Sequence, residues 1–134
     1  MSKTKSKAQA PEKLLTETEL ELMSILWRVG EGSVADVIGH LPEGRDLAYT
    51  SVSTILRILE QKGILKTRKE GRGHIYIPAT AKSEYEAKTV KHIVSRVFDG
   101  TPVALVKQLL DSVPLDSKEI EELRHMLDAA GRKK

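Results

Sequence analysis

Between Leu47 and Leu65, side chains with hydroxyl, guanidinium and amide groups recur at the spacing of one helix face and form a polar stripe. Its members are Thr50, Ser53, Thr54, Arg57 and Gln61. The stripe contains no acidic residue, although exposed helix faces commonly mix Glu with Lys because such pairs stabilise the helix. Hydroxyl and guanidinium groups without neighbouring carboxylates are suited to phosphate oxygens and to the edges of bases.

The helix that would carry this stripe is predicted between Leu47 and Gly63. Its opposite face is apolar and is formed by Val52, Ile55, Leu56 and Leu59. In a major groove, short hydroxyl side chains can approach base edges, and Arg57 can contact guanine or phosphate. Tyr49, at the start of the helix, could bond a phosphate while its ring packs. The candidate DNA contacts of this helix are Tyr49, Thr50, Ser51, Ser53, Thr54 and Arg57.

Positive charge is concentrated around the same segment. From Arg45 to His74 there are seven bases and three acids, and the first thirteen residues hold four lysines and one acid. From Ala81 to Lys134 ten bases are balanced by nine acids. An excess confined to the first part of the chain is typical of a surface that meets a polyanion. The bases expected to neutralise phosphates are Arg45, Lys62, Lys66, Arg68, Lys69 and Arg72, with Lys66, Arg68 and Arg72 as the wing candidates.

The elements that position these residues can be predicted in order. Thr16 and Glu19 form a capping box that opens a helix ending near Val29, and Ser33 can cap a short second helix. The third helix ends at Gly63, a candidate left-handed cap. The runs ILKTRK and HIYIPA around EGRG predict a β-hairpin. Three helices followed by a basic hairpin are the order of a winged helix-turn-helix.

Three amphipathic helices are predicted after this domain, beginning near Lys82, Pro102 and Asp116. They are too few to build a large core alone, so their apolar stripes favour burial against a second copy of the chain. The predicted dimer contacts are Val90, Ile93, Val97, Val106, Leu109, Leu110, Ile120, Leu123 and Leu127. The predicted fold is mainly α, with a disordered basic arm over 1–13, a winged-helix domain with a small β-hairpin wing over 14–80, and a C-terminal helical dimerisation region over 81–134.

Composition argues against several classes of function. The sequence has no cysteine, which excludes disulfides and thiolate metal sites, and none of its four histidines has a second histidine at i+3 or i+4. We expect no metal or other cofactor, and no catalytic constellation is recognisable, so an enzyme is not predicted. The sequence contains no run of about 18 apolar residues, so no membrane-spanning helix is predicted. The basic N-terminus lacks the apolar core of a secretory signal, so a cytoplasmic location is expected.

Four stretches of the sequence resemble the penicillinase repressor family, the BlaI/MecI/CopY-type transcriptional regulators. They are LTETELELMSILWRVGEGSVADVIGHL, LAYTSVSTILRILEQKGIL, HIYIPA and LDSKEIEELRHML, and the runs ending at Trp27 and starting at Ala48 are the most specific. The resemblance implies a repressor with a winged helix and C-terminal dimerisation helices. Its homodimer would bind a palindromic double-stranded DNA operator of resistance or transport genes. The helix Leu47–Gly63 would then read the major groove, and the hairpin Lys66–Pro78 would contact the backbone.

The resemblance also raises the question of how DNA is released. In the methicillin and penicillinase branches, a membrane sensor-protease signal leads to cleavage in the C-terminal helical region. The cleaved branch has Asn-Phe in the segment that matches LVKQLLD, where this sequence has Gln108-Leu109. Proteolysis near Gln108 and release by a small ligand or another protein therefore both stay open. Copper sensing by a cysteine-rich motif is not expected.

A second interpretation is a winged helix that serves as a protein-interaction module without sequence-specific DNA binding. Such modules often have a mixed-charge third helix and a neutral wing. The local excess of bases and the lysine-rich arm favour DNA binding instead.

Overall fold

The computed structural model describes residues 14–133 and contains, in that range, six helices and one antiparallel hairpin. The elements are α1 (Glu17–Val29), α2 (Val34–Gly39), α3 (Tyr49–Gln61), β1 (Leu65–Glu70), β2 (Gly73–Pro78), α4 (Lys82–Arg96), α5 (Pro102–Ser112) and α6 (Ser117–Arg132). This order confirms the predicted mainly α, winged-helix fold. The predicted arm over 1–13 lies outside the described residues. None of the described helices is long and apolar enough to cross a membrane.

Reciprocal capping contacts determine where α1, α2 and α6 begin. At α1, the Glu19 backbone N–H donates to Thr16 Oγ1 at 3.1 Å, and the Thr16 N–H donates to Glu19 Oε1 at 2.9 Å. Ser33 begins α2 and Asp116 begins α6 in the same way. Each box satisfies two backbone donors that would otherwise have no partner at a helix start. The capping box predicted at Thr16 and the cap predicted at Ser33 are therefore confirmed.

The end of α3 is a tight left-handed turn that leads directly into the hairpin. Gly63 has a φ of +85°, a conformation that glycine adopts without strain. Its N–H donates to the carbonyl oxygen of Glu60 at 2.9 Å, and the Ile64 N–H donates to that of Leu59 at 3.1 Å. These two bonds form a Schellman motif. Because the turn is so short, β1 starts close to the end of α3.

The hairpin is tied to the loop between α1 and α2. Leu65 pairs with Pro78 and Glu70 pairs with Gly73, which leaves Gly71 and Arg72 as the turn. Tyr76 exchanges two backbone hydrogen bonds with Gly32, at 2.8 and 3.0 Å. The sheet is thus held to the helices by backbone bonds as well as by packing.

A core of apolar side chains positions α3. It is formed by one face each of α1, α2 and α3 together with the base of the hairpin. Its largest fully buried members are Leu22, Met23, Leu26, Leu56, Leu59, Ile64, Leu65, Val37 and Val52. Burial of such side chains contributes about 1.5–3 kcal/mol each, so the buried face of α3 is strongly determined. The polar stripe on its other face is left outside.

The chain divides into two compact units between Val90 and Lys91. This division lies within α4. The domain boundary between residues 80 and 81 stays a prediction. From 81 to 133 no residue is buried. The exposed apolar side chains of the second unit are Val97, Val103, Val106, Leu109, Leu110, Val113, Ile120, Met126 and Leu127. Burial of these side chains against a second copy of the chain stays a prediction.

Candidate nucleic-acid interface

The outward face of α3 carries the predicted polar stripe. Val52, Leu56 and Leu59 are fully buried, and the opposite side of the helix therefore faces solvent. The predicted contacts Tyr49, Thr50, Ser51, Thr54 and Arg57 are all exposed, and Ser53 is half-buried at the edge of the face. The structure thus brings the five hydroxyl groups and the guanidinium of this helix onto one accessible surface or its edge.

The backbone at the start of α3 is also available for contact. Ala48 occupies the N-cap position, and no side chain caps the helix, in contrast to α1, α2 and α6. The first-turn N–H groups of a helix have no partner within the helix and carry partial positive charge. A phosphate oxygen is a suitable acceptor for them. Tyr49, which is 59% exposed, lies beside these groups.

Two of the predicted phosphate-neutralising bases are instead engaged by acids of α1. The Arg45 guanidinium donates to both carboxylate oxygens of Glu21 at 3.0–3.1 Å. Lys62 Nζ lies 2.8 Å from Glu19 Oε2. Burial opposes ionisation of Glu19, but hydrogen bonds from Lys62 and Thr16 outweigh it and lower the pKa of Glu19. The Arg45–Glu21 pair joins the loop before α3 to α1, and the Lys62–Glu19 pair joins the end of α3 to α1.

Arg68, on the wing, is held by two carboxylates. Its guanidinium bonds Glu31 at 2.9 Å and Glu70 at 3.1 Å. The hydrogen bonds to these acids raise the pKa of Arg68, and the bond from Arg68 lowers the pKa of Glu31. Glu31 belongs to the loop before α2, so the pair joins the hairpin to that loop. A phosphate could reach this guanidinium only by competing with both acids.

Four other bases, on α3 and on the hairpin, are exposed. They are Arg57 on α3, Lys66 and Lys69 on β1, and Arg72 at the hairpin turn. Within residues 14–133, no carboxylate lies within 4.0 Å of any of these four. We refer to them as the open cations. Of the seven bases counted in this segment, only these are free of an ion pair in the described structure, so they supply the charge available to a polyanion.

One residue of this face was missed by the sequence reasoning. Ile58 is 38% exposed, and it follows Thr54 by four residues and precedes Gln61 by three. It therefore lies on the polar stripe, where an apolar side chain can meet a thymine methyl group. Sequence reasoning assigns an apolar residue to the core by default. The angular position of Ile58 on the helix, compared with Val52 and Leu56, would have indicated that it lies on the exposed face.

The residues predicted for dimerisation and cleavage lie on α4, α5 and α6 or next to them. Ile93 and Leu123 are half-buried, and the other predicted dimer contacts are exposed. Gln108 and Leu109 lie within α5, where Gln108 Nε2 donates to Ser112 Oγ at 2.7 Å and Leu109 is 42% exposed. Residues 14–133 contain no cluster of three or more His, Asp or Glu side chains that could hold a metal ion.

Comparison with known proteins points to one family. A sequence profile described as penicillinase repressor matches residues 15–129. The penicillinase repressor of Bacillus licheniformis is 29% identical over 114 residues, which cover 85% of this chain and 89% of that protein. The methicillin resistance regulatory protein MecI of Staphylococcus aureus strain N315 is 26% identical over 114 residues, covering 85% and 93% respectively. The solution structure of the DNA-binding domain of the repressor BlaI aligns with a TM-score of 0.50 and 28% identity, covering 57% of this chain and 94% of that one.

Proposed function

The chain belongs to the penicillinase repressor family, and on that premise we propose that it is a transcriptional repressor that binds a palindromic DNA operator as a homodimer. The observation that carries the proposal is the acid-free outer face of α3, which includes the open cation Arg57, together with the three open cations of the hairpin that follows it. A related DNA-binding domain, that of BlaI, has a similar fold and supports this use of the face. Repressors of this kind are regulators and not enzymes, and the cytoplasm is where such an operator would be met.

In this proposal α3 lies in the major groove. Thr50 and Thr54 are short enough to bring the helix close to base edges, and Ile58 can contact a thymine methyl group. Arg57 is long enough to bond a guanine or a phosphate from the next turn of the helix. The uncapped N-terminus of α3 would receive a backbone phosphate and so fix the register of the helix along the groove.

The hairpin contributes affinity and little sequence preference. Arg72 lies in its turn, and Lys66 and Lys69 lie on β1. Such side chains neutralise phosphates, which carry no sequence information. The β1–β2 wing is therefore proposed to lie along the DNA backbone while α3 contacts the bases.

The homodimer accounts for the exposed apolar side chains after Val90. No residue from 91 to 133 is buried, and a second copy of the chain would cover the stripes of the second unit. Two identical recognition helices related by a two-fold axis match a palindrome, whose half-sites lie about 34–36 Å apart or a multiple of that. We take β-lactam resistance or related genes as the regulated class, because the named relatives regulate penicillinase and methicillin resistance.

Release from DNA is proposed to act through the same helices. A cut near Gln108-Leu109 would separate α4 from α6 and so divide the dimer surface. Because this bond lies inside α5, a protease needs the helix to open locally first. A membrane sensor-protease system is the partner that this route would require. Release by a small ligand or another protein is the alternative and leaves α5 intact.

Selection from a pool of random-sequence duplex DNA tests the proposed function directly. The purified chain should enrich a palindrome, and titration of that palindrome should give a complex of two chains per duplex by light scattering. A variant with Thr50, Thr54 and Arg57 all changed to alanine is the matched control and should enrich no sequence. Enrichment of no sequence by the unchanged chain, or binding as a monomer to a single half-site, would contradict the proposal and favour the protein-interaction module.

A further inference from the structure

Two aromatic side chains join the start of α4 to the winged helix. The Trp27 indole N–H donates to the carbonyl oxygen of Thr80 at 2.8 Å. The ring of Trp27 packs against that of Tyr85, with centroids 5.8 Å apart and planes tilted by 35°. The Leu15 N–H donates to the Tyr85 hydroxyl at 3.1 Å. We call Trp27 and Tyr85, with the backbone groups of Leu15 and Thr80, the aromatic clasp.

The clasp is the main attachment of α4 within the first unit. Between Ala81 and Val90, only Tyr85 and Thr89 are even half-buried. Thr89 Oγ1 donates to the carbonyl oxygen of Tyr85 at 2.8 Å, a bond inside α4 that holds nothing else. The clasp bonds instead span 53 and 70 residues of sequence. The direction of the first turns of α4 therefore depends on a few groups around one ring.

A small change of that direction becomes large at the far end of the helix. Arg96, the last residue of α4, is eleven residues beyond Tyr85, or about 16 Å at a rise of 1.5 Å per residue. A tilt of about 10° at the clasp would move that end by about 3 Å, close to the 3.4 Å rise of one base pair. The apolar residues Val90, Ile93 and Val97, part of the proposed dimer surface, lie along or just after this stretch.

We propose that the aromatic clasp sets the half-site spacing that the operator must have. This inference rests on the proposed function, because spacing has a meaning only for a dimer on a palindrome. Trp27 and Tyr85 act as positioning residues: they are not among the proposed DNA or dimer contacts, and they hold the first turns of α4 in the first unit. Weakening the clasp should leave each recognition helix intact but let its distance from the second one vary.

The test compares duplexes that differ only at their centre. The probes are the palindrome selected by the unchanged chain, the same palindrome with one or two base pairs added or removed between half-sites, and a single half-site. The full-length variants are Tyr85→Phe and Trp27→Phe, and Thr89→Val is the matched control that removes a hydroxyl bonded only within α4. The measured quantity is the ratio of Kd values at altered and selected spacing.

The unchanged chain and Thr89→Val should lose at least about tenfold in affinity when one base pair is inserted, since α3 then no longer faces both half-sites in phase. For Tyr85→Phe and Trp27→Phe the ratio should fall to about threefold or less, with half-site affinity unchanged within about twofold. If Trp27→Phe does not fold, Tyr85→Phe decides alone, because it removes a single hydroxyl.

Unchanged ratios in every variant that folds would overturn the inference, and lower melting temperatures in the same variants would leave the clasp a structural contact. In that case the proposed dimeric repressor would still stand. A chain that shows no preference for spacing even when unaltered would instead contradict the palindrome-binding dimer itself. The two failures are thus distinguishable.

Discussion

Changing Lys66 to Gln should reduce the salt dependence of DNA binding more than changing Arg68 to Gln. The two side chains lie on the same face of β1, two residues apart, and each substitution removes one positive charge. Lys66 has no carboxylate within 4.0 Å in residues 14–133, whereas Arg68 is held by Glu31 at 2.9 Å and Glu70 at 3.1 Å. The comparison therefore isolates the effect of the ion pairs.

The expected size follows from counterion release. The logarithm of the binding constant falls with the logarithm of salt concentration by about 0.9 for each phosphate neutralised. If the four open cations of each protomer all meet phosphates, the proposed dimer makes about eight such contacts and has a slope near −7. Lys66→Gln removes two of these contacts and should make the slope shallower by about 1.8. Arg68→Gln should change it by less than about half of that amount.

Anisotropy titrations of a labelled random-sequence duplex over a series of potassium chloride concentrations would give both slopes. Random DNA is the appropriate probe because phosphate contacts do not depend on sequence. Circular dichroism should show that both variants are folded. An equal or larger change for Arg68→Gln would mean that Arg68 leaves its carboxylates when DNA binds, and the distinction between paired and open cations would be refuted.

Four further predictions follow. Arg57→Ala should weaken binding to the selected palindrome by about 1–3 kcal/mol. Arg72→Ala should weaken binding to the palindrome and to random DNA alike. Unchanged affinity of Arg57→Ala in a titration would remove Arg57 from the interface. At pH values above the ordinary glutamate pKa of 4.5, Glu19→Gln should lower the free energy of unfolding by about 1–2 kcal/mol. Because the folded-state pKa of Glu19 is lowered, this contribution disappears as pH falls through that folded-state pKa, so urea denaturation should show the two proteins converging in acid. A chain ending at Val90 should be monomeric and melt several degrees higher than one ending at Ala81, which lacks Tyr85; equal melting temperatures would deny the clasp any role in stability. A protease site placed between Lys107 and Leu110 should, once cut, abolish the dimer and operator binding, and a cut protein that stays dimeric and bound would exclude this release route.

Features determined by neighbouring residues could be predicted from the sequence. The capping box of Thr16 with Glu19 involves residues three apart, and Gly63 marks the end of α3 because its backbone conformation is one that glycine favours. The polar face of α3 follows from helical period alone. The family resemblance, carried by the runs around Trp27 and Ala48, is confirmed by the profile match over residues 15–129.

Features that depend on contacts between distant residues could not be predicted in this way. Lys62 meets Glu19 across 43 residues, and Arg68 meets Glu31 across 37, so the count of local charge overstated what is open to DNA. Tyr85 shows the same limit: its spacing on α4 reveals an amphipathic helix but not that this ring packs on Trp27. Periodicity identifies which face is buried and does not identify the surface that covers it.

The position of Trp27 has a consequence for spectroscopy. It is the only tryptophan of the sequence, and its indole N–H is bonded to Thr80 beside the ring of Tyr85. The intrinsic emission of the chain, excited selectively at tryptophan, therefore comes from the junction between β2 and α4, with no tryptophan on the α3 face. A change in emission wavelength or lifetime when DNA is added would report a movement at that junction and not quenching by bases at the groove. Trp27 is thus an intrinsic fluorescent probe of whether operator binding changes the structure where α4 begins.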